Sequence, residues 1–165
     1  MNTLTIEVQR ISIVSTRSFT DVLARIDLAI GHPDMREFIH EIQTAPTDND
    51  LEAVVNRAIG PSGFMEFARY DLGAVIRKQR GSGAPQIVRL VAGNPLIMRT
   101  MVGRVPDAGS YAPITILIDE RSDGVHLTYD RMQSLLAPYG DLEASRIGAD
   151  LDAKVEKLLT EAARG

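Results

Sequence analysis

A chain of 165 residues with a formal net charge of −4 and no cysteine has the composition of one acidic globular domain. The acidic balance argues against a nucleic-acid partner, which requires a basic face, and the lack of cysteine excludes disulfides, thiolate nucleophiles and cysteine metal ligands. The longest apolar run, near Ile114 to Ile118, is too short to cross a membrane, and the polar N-terminus lacks a signal-peptide core, so we expect a cytoplasmic protein.

The N-terminal segment alternates apolar and polar residues, as a half-buried strand does. The alternation changes phase near Gln9 and Arg10, which predicts a strand interrupted by a β-bulge at that point. The alternating apolar residues are Leu4, Ile6, Val8, Ile11 and Ile13. Ser18, followed by Asp21, then opens a helix whose apolar stripe ends at Gly31.

Two shorter helices are expected next, because residues 35–42 and 51–59 each carry an apolar stripe at helical spacing. Aromatic residues between Gly63 and Tyr70 favour a strand, since such side chains fit a half-buried pleated surface. Asp71 is then placed to cap a short helical turn that runs to Arg80.

The C-terminal half predicts a strand, a helix, a hairpin and a long helix. The nearly continuous apolar run from Ile87 to Val91 indicates an interior strand, and Asn94-Pro95 is a favourable helix start. Two alternating segments joined by Ser122-Asp123-Gly124 predict a β-hairpin, and an apolar stripe over residues 142–159 predicts the long helix. We therefore expect an α+β fold with at least five strands, in a single domain over residues 1–165.

Several ordered blocks of the sequence resemble a known bacterial family. The blocks are Phe64–Ala74, Gly93-Asn94-Pro95-Leu96-Ile97, Tyr111-Ala112-Pro113 and Leu127-Thr128-Tyr129-Asp130. With them the chain resembles the family called domain of unknown function 302. The resemblance implies a curved, mainly antiparallel sheet packed by helices, a homodimer, and no established activity. Many members have histidine where this chain has Leu72, and others have cysteine where it has Ala92, so chemistry that needs either residue is not expected here.

The Gly93-Asn94-Pro95 turn is the leading candidate for a binding site. Backbone N–H groups at a helix start, together with the helix dipole, can hold an anionic group of a ligand. The same residues also suit a plain strand-to-helix connection in which Asn94 caps the helix, and Pro95 removes one donor. As a cap, Asn94 should accept replacement by aspartate with little loss of stability.

Tyrosines and aspartates near strand ends are the other candidates. Tyr111 and Tyr129 can pack their rings on the core while their hydroxyls reach a pocket or an interface. Asp71 and Asp130 lie where a carboxylate either caps a turn or takes part in acid–base catalysis. The predicted ligand-binding residues are Gly93, Asn94, Asp71, Tyr111, Tyr129 and Asp130.

No metal and no redox cofactor is expected. The three histidines, His32, His40 and His126, are not spaced as metal ligands, and the sequence has no Walker-type phosphate loop and no dinucleotide-binding fingerprint.

Two functions of different classes remain open. The first is a non-enzymatic, homodimeric module that holds a small molecule between its sheet and the covering helices. The lack of a recognisable nucleophile–base pair favours it. The second is a small hydrolase or lyase in which Asp71, Tyr129 and Asp130 act with Asn94 as a polarising donor. A cleft that joins these four residues would favour the enzyme, and four separate capping roles would favour the binding module.

Overall fold

A five-stranded antiparallel sheet is the centre of the fold in a computed structural model, which describes residues 3–81 and 83–165. The strands are β1 (Arg10–Ser15), β2 (Met65–Asp71), β3 (Ile87–Gly93), β4 (Ile114–Arg121) and β5 (Gly124–Asp130). Their order across the sheet is β1-β5-β4-β3-β2, and every neighbouring pair is antiparallel. The predicted hairpin is the β4–β5 pair, and the predicted interior strand is β3.

Strand β1 is shorter than the sequence predicts. Its pairing with β5 runs without a register shift from Arg10, which lies opposite Asp130. Since β5 ends at Asp130, residues 4–8 have no partner in the sheet, and their alternating pattern forms no strand. The predicted bulge near Gln9 is therefore wrong. The structure has its register shift in β2, between Glu66 and Ala68.

The described residues form seven α-helices. They are α1 (Phe19–Ala29), α2 (Met35–Thr44), α3 (Asp48–Ala58), α4 (Leu72–Arg80), α5 (Pro95–Val102), α6 (Met132–Leu136) and α7 (Leu142–Ala163). Six of them begin at a side chain that accepts a backbone N–H of the first turn, which would otherwise lack a partner. These capping residues are Ser18, Asp34, Thr47, Asp71, Asn94 and Asp141. The predicted caps at Ser18, Asp71 and Asn94 are confirmed.

One face of the sheet packs against helices α1, α5 and α7. This face carries the buried alternate residues of the inner strands, including Val88, Leu90, Ile116, Ile118 and Leu127. A smaller core between α2, α3 and β2 is formed by Phe38, Val54, Val55 and Met65. The predicted α+β fold with a long C-terminal helix is therefore confirmed.

The opposite face of the sheet carries the other alternate residues, which are more exposed and more polar. Because paired residues of neighbouring strands point to the same side, one row across this face can be read from the register. The row consists of Ser12, Thr128, Leu117, Arg89 and Tyr70. Among the described helices, none combines the length and the apolar character that spanning a membrane requires.

Candidate functional site

A cavity of about 300 Å³ lies between α2, α5 and the ends of strands β3 and β4. Helix α2 contributes an apolar stripe at helical spacing, and α5 faces it with a second one. The lining side chains include Phe38, Ile39, Ile42, Phe67, Ile97 and Met98. Unbranched methionine side chains adapt their shape easily, so this wall can adjust to an apolar guest.

Gly93 and Asn94 line the cavity, as the sequence predicts for a binding site. The Asn94 side chain, however, already makes two hydrogen bonds to the backbone of the protein. Its Oδ1 accepts the N–H of Leu96 at 2.9 Å, and its Nδ2 donates to the carbonyl of Gly63 at 3.0 Å. Both the oxygen and the nitrogen of the amide are therefore hydrogen-bonded within the protein. The turn presents an apolar surface to a ligand rather than a free amide group.

Tyr111, Tyr129 and Asp130 border a second, more polar groove of about 520 Å³. The side chains of Asp130 and Tyr111 are already hydrogen-bonded to other side chains. Both carboxylate oxygens of Asp130 pair with the guanidinium of Arg10, at 2.6 and 2.7 Å. The hydroxyl of Tyr111 lies 2.9 Å from that of Tyr139, and this hydrogen bond is the main reason that the pKa of Tyr139 is raised to about 12.

Asp71 lies outside both the cavity and the groove. It caps α4 by accepting the N–H of Ala74 at 2.9 Å, and its other oxygen pairs with Arg77 at 2.5 Å. The hydrogen bond from Arg77 lowers the pKa of Asp71, since it favours the charged carboxylate. The residues of the proposed hydrolase or lyase thus occupy three places: Asn94 at the cavity, Tyr129 and Asp130 at the groove, and Asp71 at the start of α4.

The buried contact between Tyr129 and Asp152 was not expected from the sequence. The Tyr129 hydroxyl donates to Oδ1 of Asp152 at 2.7 Å, and the backbone N–H groups of Met132 and Gln133 donate to the same carboxylate at 2.7 and 3.1 Å. Burial raises the pKa of both Asp152 and Tyr129. A carboxylate within the apolar stripe of the C-terminal helix, next to Leu151, was the available signal.

Asp27, His32 and Glu66 form a group whose ligand atoms all lie within 4.8 Å of one another, the spacing that a metal ion would need. The guanidinium of Arg69 lies among them. Its Nη2 bonds to Oδ1 of Asp27 and, at 2.6 Å, to Oε2 of Glu66. Because this arginine already supplies the positive charge, the geometry is that of an ion-pair network. The absence of a metal requirement stays a prediction.

These features define an α+β protein with an apolar cavity at a strand-to-helix turn. The family model described as Domain of unknown function DUF302 matches residues 40–162, and the chain belongs to that family. A crystal structure described as an uncharacterized conserved protein DUF302 from Bacillus stearothermophilus is similar over 94% of this chain and 98% of that one. Its TM-score is 0.64 at 11% sequence identity, so the likeness concerns the fold. No curated protein matches the chain.

Proposed function

We propose that the protein is a binding module that holds a small, neutral, apolar molecule in the cavity between α2 and α5. The observation that carries the proposal is the lining of that cavity, which is formed almost entirely by aliphatic, aromatic and thioether groups, with Gln43 and Asn94 as its polar members. A volume of about 300 Å³ lies at the lower end of the range of small-molecule sites, so the guest is small.

The charge of the ligand follows from the cost of burying an ion. None of the described residues that line the cavity is charged, and the polar ends of Asn94 are bonded within the fold. A buried charge without a partner is strongly unfavourable, so an anionic ligand is a poor match for this lining. The same lining offers no nucleophile and no base, which supports binding rather than catalysis at the cavity.

Native mass spectrometry of purified protein tests the proposal directly. We expect a small neutral adduct that disappears when the protein is unfolded and refolded in clean buffer. The emptied protein should then bind Nile red, an uncharged dye that fluoresces in apolar surroundings, with saturable stoichiometry. Failure of the emptied protein to bind Nile red, together with the absence of any adduct, would refute the proposal.

A charged substitution at the cavity provides the specific test. Ile39 lines the cavity but is 48% exposed, so Ile39→Lys should fold while placing an ammonium group beside the dye. We expect its affinity for Nile red to fall about tenfold or more. The matched control is Leu28→Lys, an exposed apolar position on α1, which should bind within about twofold of the original protein. Equal affinity of the two variants for Nile red would show that the dye binds outside the cavity.

We also propose that the protein is a homodimer. Strands β1 and β2 end the sheet on its two sides, and an edge strand favours pairing with another chain. Leu4 and Val8 support this, because both are exposed apolar residues on the segment that leads into β1.

A further inference from the structure

Ser12, His126 and Asp123 form a hydrogen-bonded chain that no part of the proposed binding function uses. The Ser12 hydroxyl lies 3.2 Å from Nδ1 of His126, and Nε2 of the same ring lies 2.9 Å from Oδ1 of Asp123. Ser12 is on β1, His126 is on β5, and Asp123 is in the turn that joins β4 and β5. A hydroxyl that bonds to an imidazole, which in turn bonds to a carboxylate, is the arrangement that activates a serine nucleophile.

The partners determine which ring nitrogen carries the proton. A carboxylate only accepts hydrogen bonds, so Nε2 of His126 donates to Asp123. In the neutral ring Nδ1 then has a free lone pair and accepts from the Ser12 hydroxyl. The hydroxyl of Thr128 lies 3.4 Å from the Ser12 oxygen and donates to it. The chain of donors therefore runs from Thr128 through Ser12 and His126 to Asp123, which is the direction that general-base activation of a serine needs.

The surroundings of the three residues suit a reactive group at a surface. The Ser12 side chain is exposed, whereas His126 is buried at 7% exposure and is held in one orientation by its two bonds. The neighbouring Val14 is 47% exposed on the same face, where it can contact an acyl chain. This face lies opposite the helices, and Ser12 is on an edge strand, away from the cavity between α2 and α5.

We propose that Ser12 is a nucleophile that attacks uncharged short-chain carboxylic esters, with His126 as general base and Asp123 as a positioning residue. The Ser12 oxygen adds to the ester carbonyl carbon, and its proton passes to Nδ1 of His126. The bond from carbonyl carbon to alcohol oxygen breaks, and the alcohol leaves with that proton. Water then attacks the acyl-serine with His126 again as base, releasing the carboxylic acid and restoring the Ser12 hydroxyl.

An alkyl fluorophosphonate tests the nucleophile without knowledge of the natural ester. Its phosphorus is attacked by the serine oxygen, fluoride leaves, and the protein gains one phosphonyl group that intact-protein mass spectrometry detects. We expect one group per chain, located on Ser12 by peptide mapping, and none on Ser12→Ala. Modification of Ser12 no faster than that of Ser110, another exposed serine, would overturn the proposal.

The roles of the other two residues are tested by the rate of labelling. His126→Gln should lower the rate constant by about 10²–10⁴-fold, the usual contribution of a general base. Asp123 has a 65% exposed side chain, so Asp123→Asn should keep the melting temperature while slowing the labelling, and Asp123→Glu should restore part of the rate. Ser110→Ala should label at the original rate. An unchanged rate in folded Asp123→Asn and in folded His126→Gln would show an ordinary surface serine.

Discussion

The hydroxyl of Tyr129 and the carboxylate of Asp152 meet at 2.7 Å in the interior, and this contact joins strand β5 to helix α7. Oδ1 of Asp152 also accepts the backbone N–H of Met132, at 2.7 Å, so the same carboxylate supports the start of α6. One side chain of α7 thereby holds the end of β5 and the start of α6, which follow each other directly in the chain.

Removing that carboxylate should be costly. In Asp152→Ala the Tyr129 hydroxyl and the Met132 N–H lose their acceptor, at about 1–3 kcal/mol for each buried unsatisfied donor. We expect the free energy of unfolding in urea to fall by roughly 2–6 kcal/mol. The control is Asp150→Ala on the same helix, whose carboxylate pairs with Arg146 at the surface and should cost about 1 kcal/mol or less. Similar losses in both variants would contradict the structural role of Asp152.

Asn94→Asp should destabilise the protein, contrary to the expectation from the sequence alone. Aspartate can still accept the N–H of Leu96, but it cannot donate to the carbonyl of Gly63, which lies 3.0 Å from Nδ2. The substitution would place two acceptors against each other, so we expect a loss of about 1–3 kcal/mol by urea unfolding.

The converse substitution at another cap is the control for Asn94→Asp. Asp34 caps α2 by accepting the N–H groups of Arg36 and Glu37 through Oδ1. Asparagine and aspartate cap about equally well, so Asp34→Asn should unfold within about 0.5 kcal/mol of the original protein. If Asn94→Asp were equally mild, the bond to Gly63 would contribute nothing measurable.

The pairing of Asp71 with Arg77 should make stability depend on pH. Because Arg77 lowers the pKa of Asp71 in the folded state, the carboxylate stabilises the fold above its unfolded pKa of about 4. This contribution is lost as the pH falls through the lower folded value. Asp71→Asn keeps an acceptor for the N–H of Ala74, so its urea midpoint should be below that of the original protein at pH 7 and should converge with it in acid.

Repeating the Asp71→Asn substitution in an Arg77→Gln variant distinguishes the effect of this ion pair from that of other carboxylates. In Arg77→Gln the lowering of the Asp71 pKa loses its main cause, so the further change Asp71→Asn should have little effect at neutral pH. A gap between the Asp71→Asn variant and its parent that persists unchanged in acid would show that the charge of Asp71 is not responsible.

The proposed homodimer has a direct test in solution. Light scattering at micromolar concentration should give about twice the chain mass of 18.0 kDa. If the segment before β1 takes part in the contact, Val8→Glu should shift the protein toward monomer. Leu142→Glu, at an 87% exposed position on α7, should leave the mass unchanged. A monomeric mass for the original protein would refute the dimer.

Most element types and the starts of several helices could be predicted from the sequence because their causes are local, whereas the short helix α6 was not predicted. A capping side chain such as Asn94 bonds to an N–H two residues later, and the β4–β5 hairpin is fixed by a two-residue turn at Ser122-Asp123. The start of β1 was predicted wrongly because a strand needs a partner as well as an alternating pattern. That partner, β5, ends at Asp130, where no sequence pattern near Leu4 could show it.

The candidate sites depended on contacts between distant parts of the chain. His126 stood apart in the sequence, with no metal-ligand spacing, whereas the antiparallel pairing of β1 with β5 brings it beside Ser12, 114 residues away. The apolar cavity likewise requires α2 to face α5 across the end of β3.

The sequence by itself determined the α+β class, three of the six helix caps and the membership of a family, since periodicity, capping and motif blocks are properties of short segments. The tertiary structure alone decided the strand order, the face on which each side chain lies, and the hydrogen-bond partners of the Asn94 amide. The physical reason is that hydrogen-bond partners and burial depend on neighbours in space. Folding can bring such neighbours together from any part of the 165-residue chain.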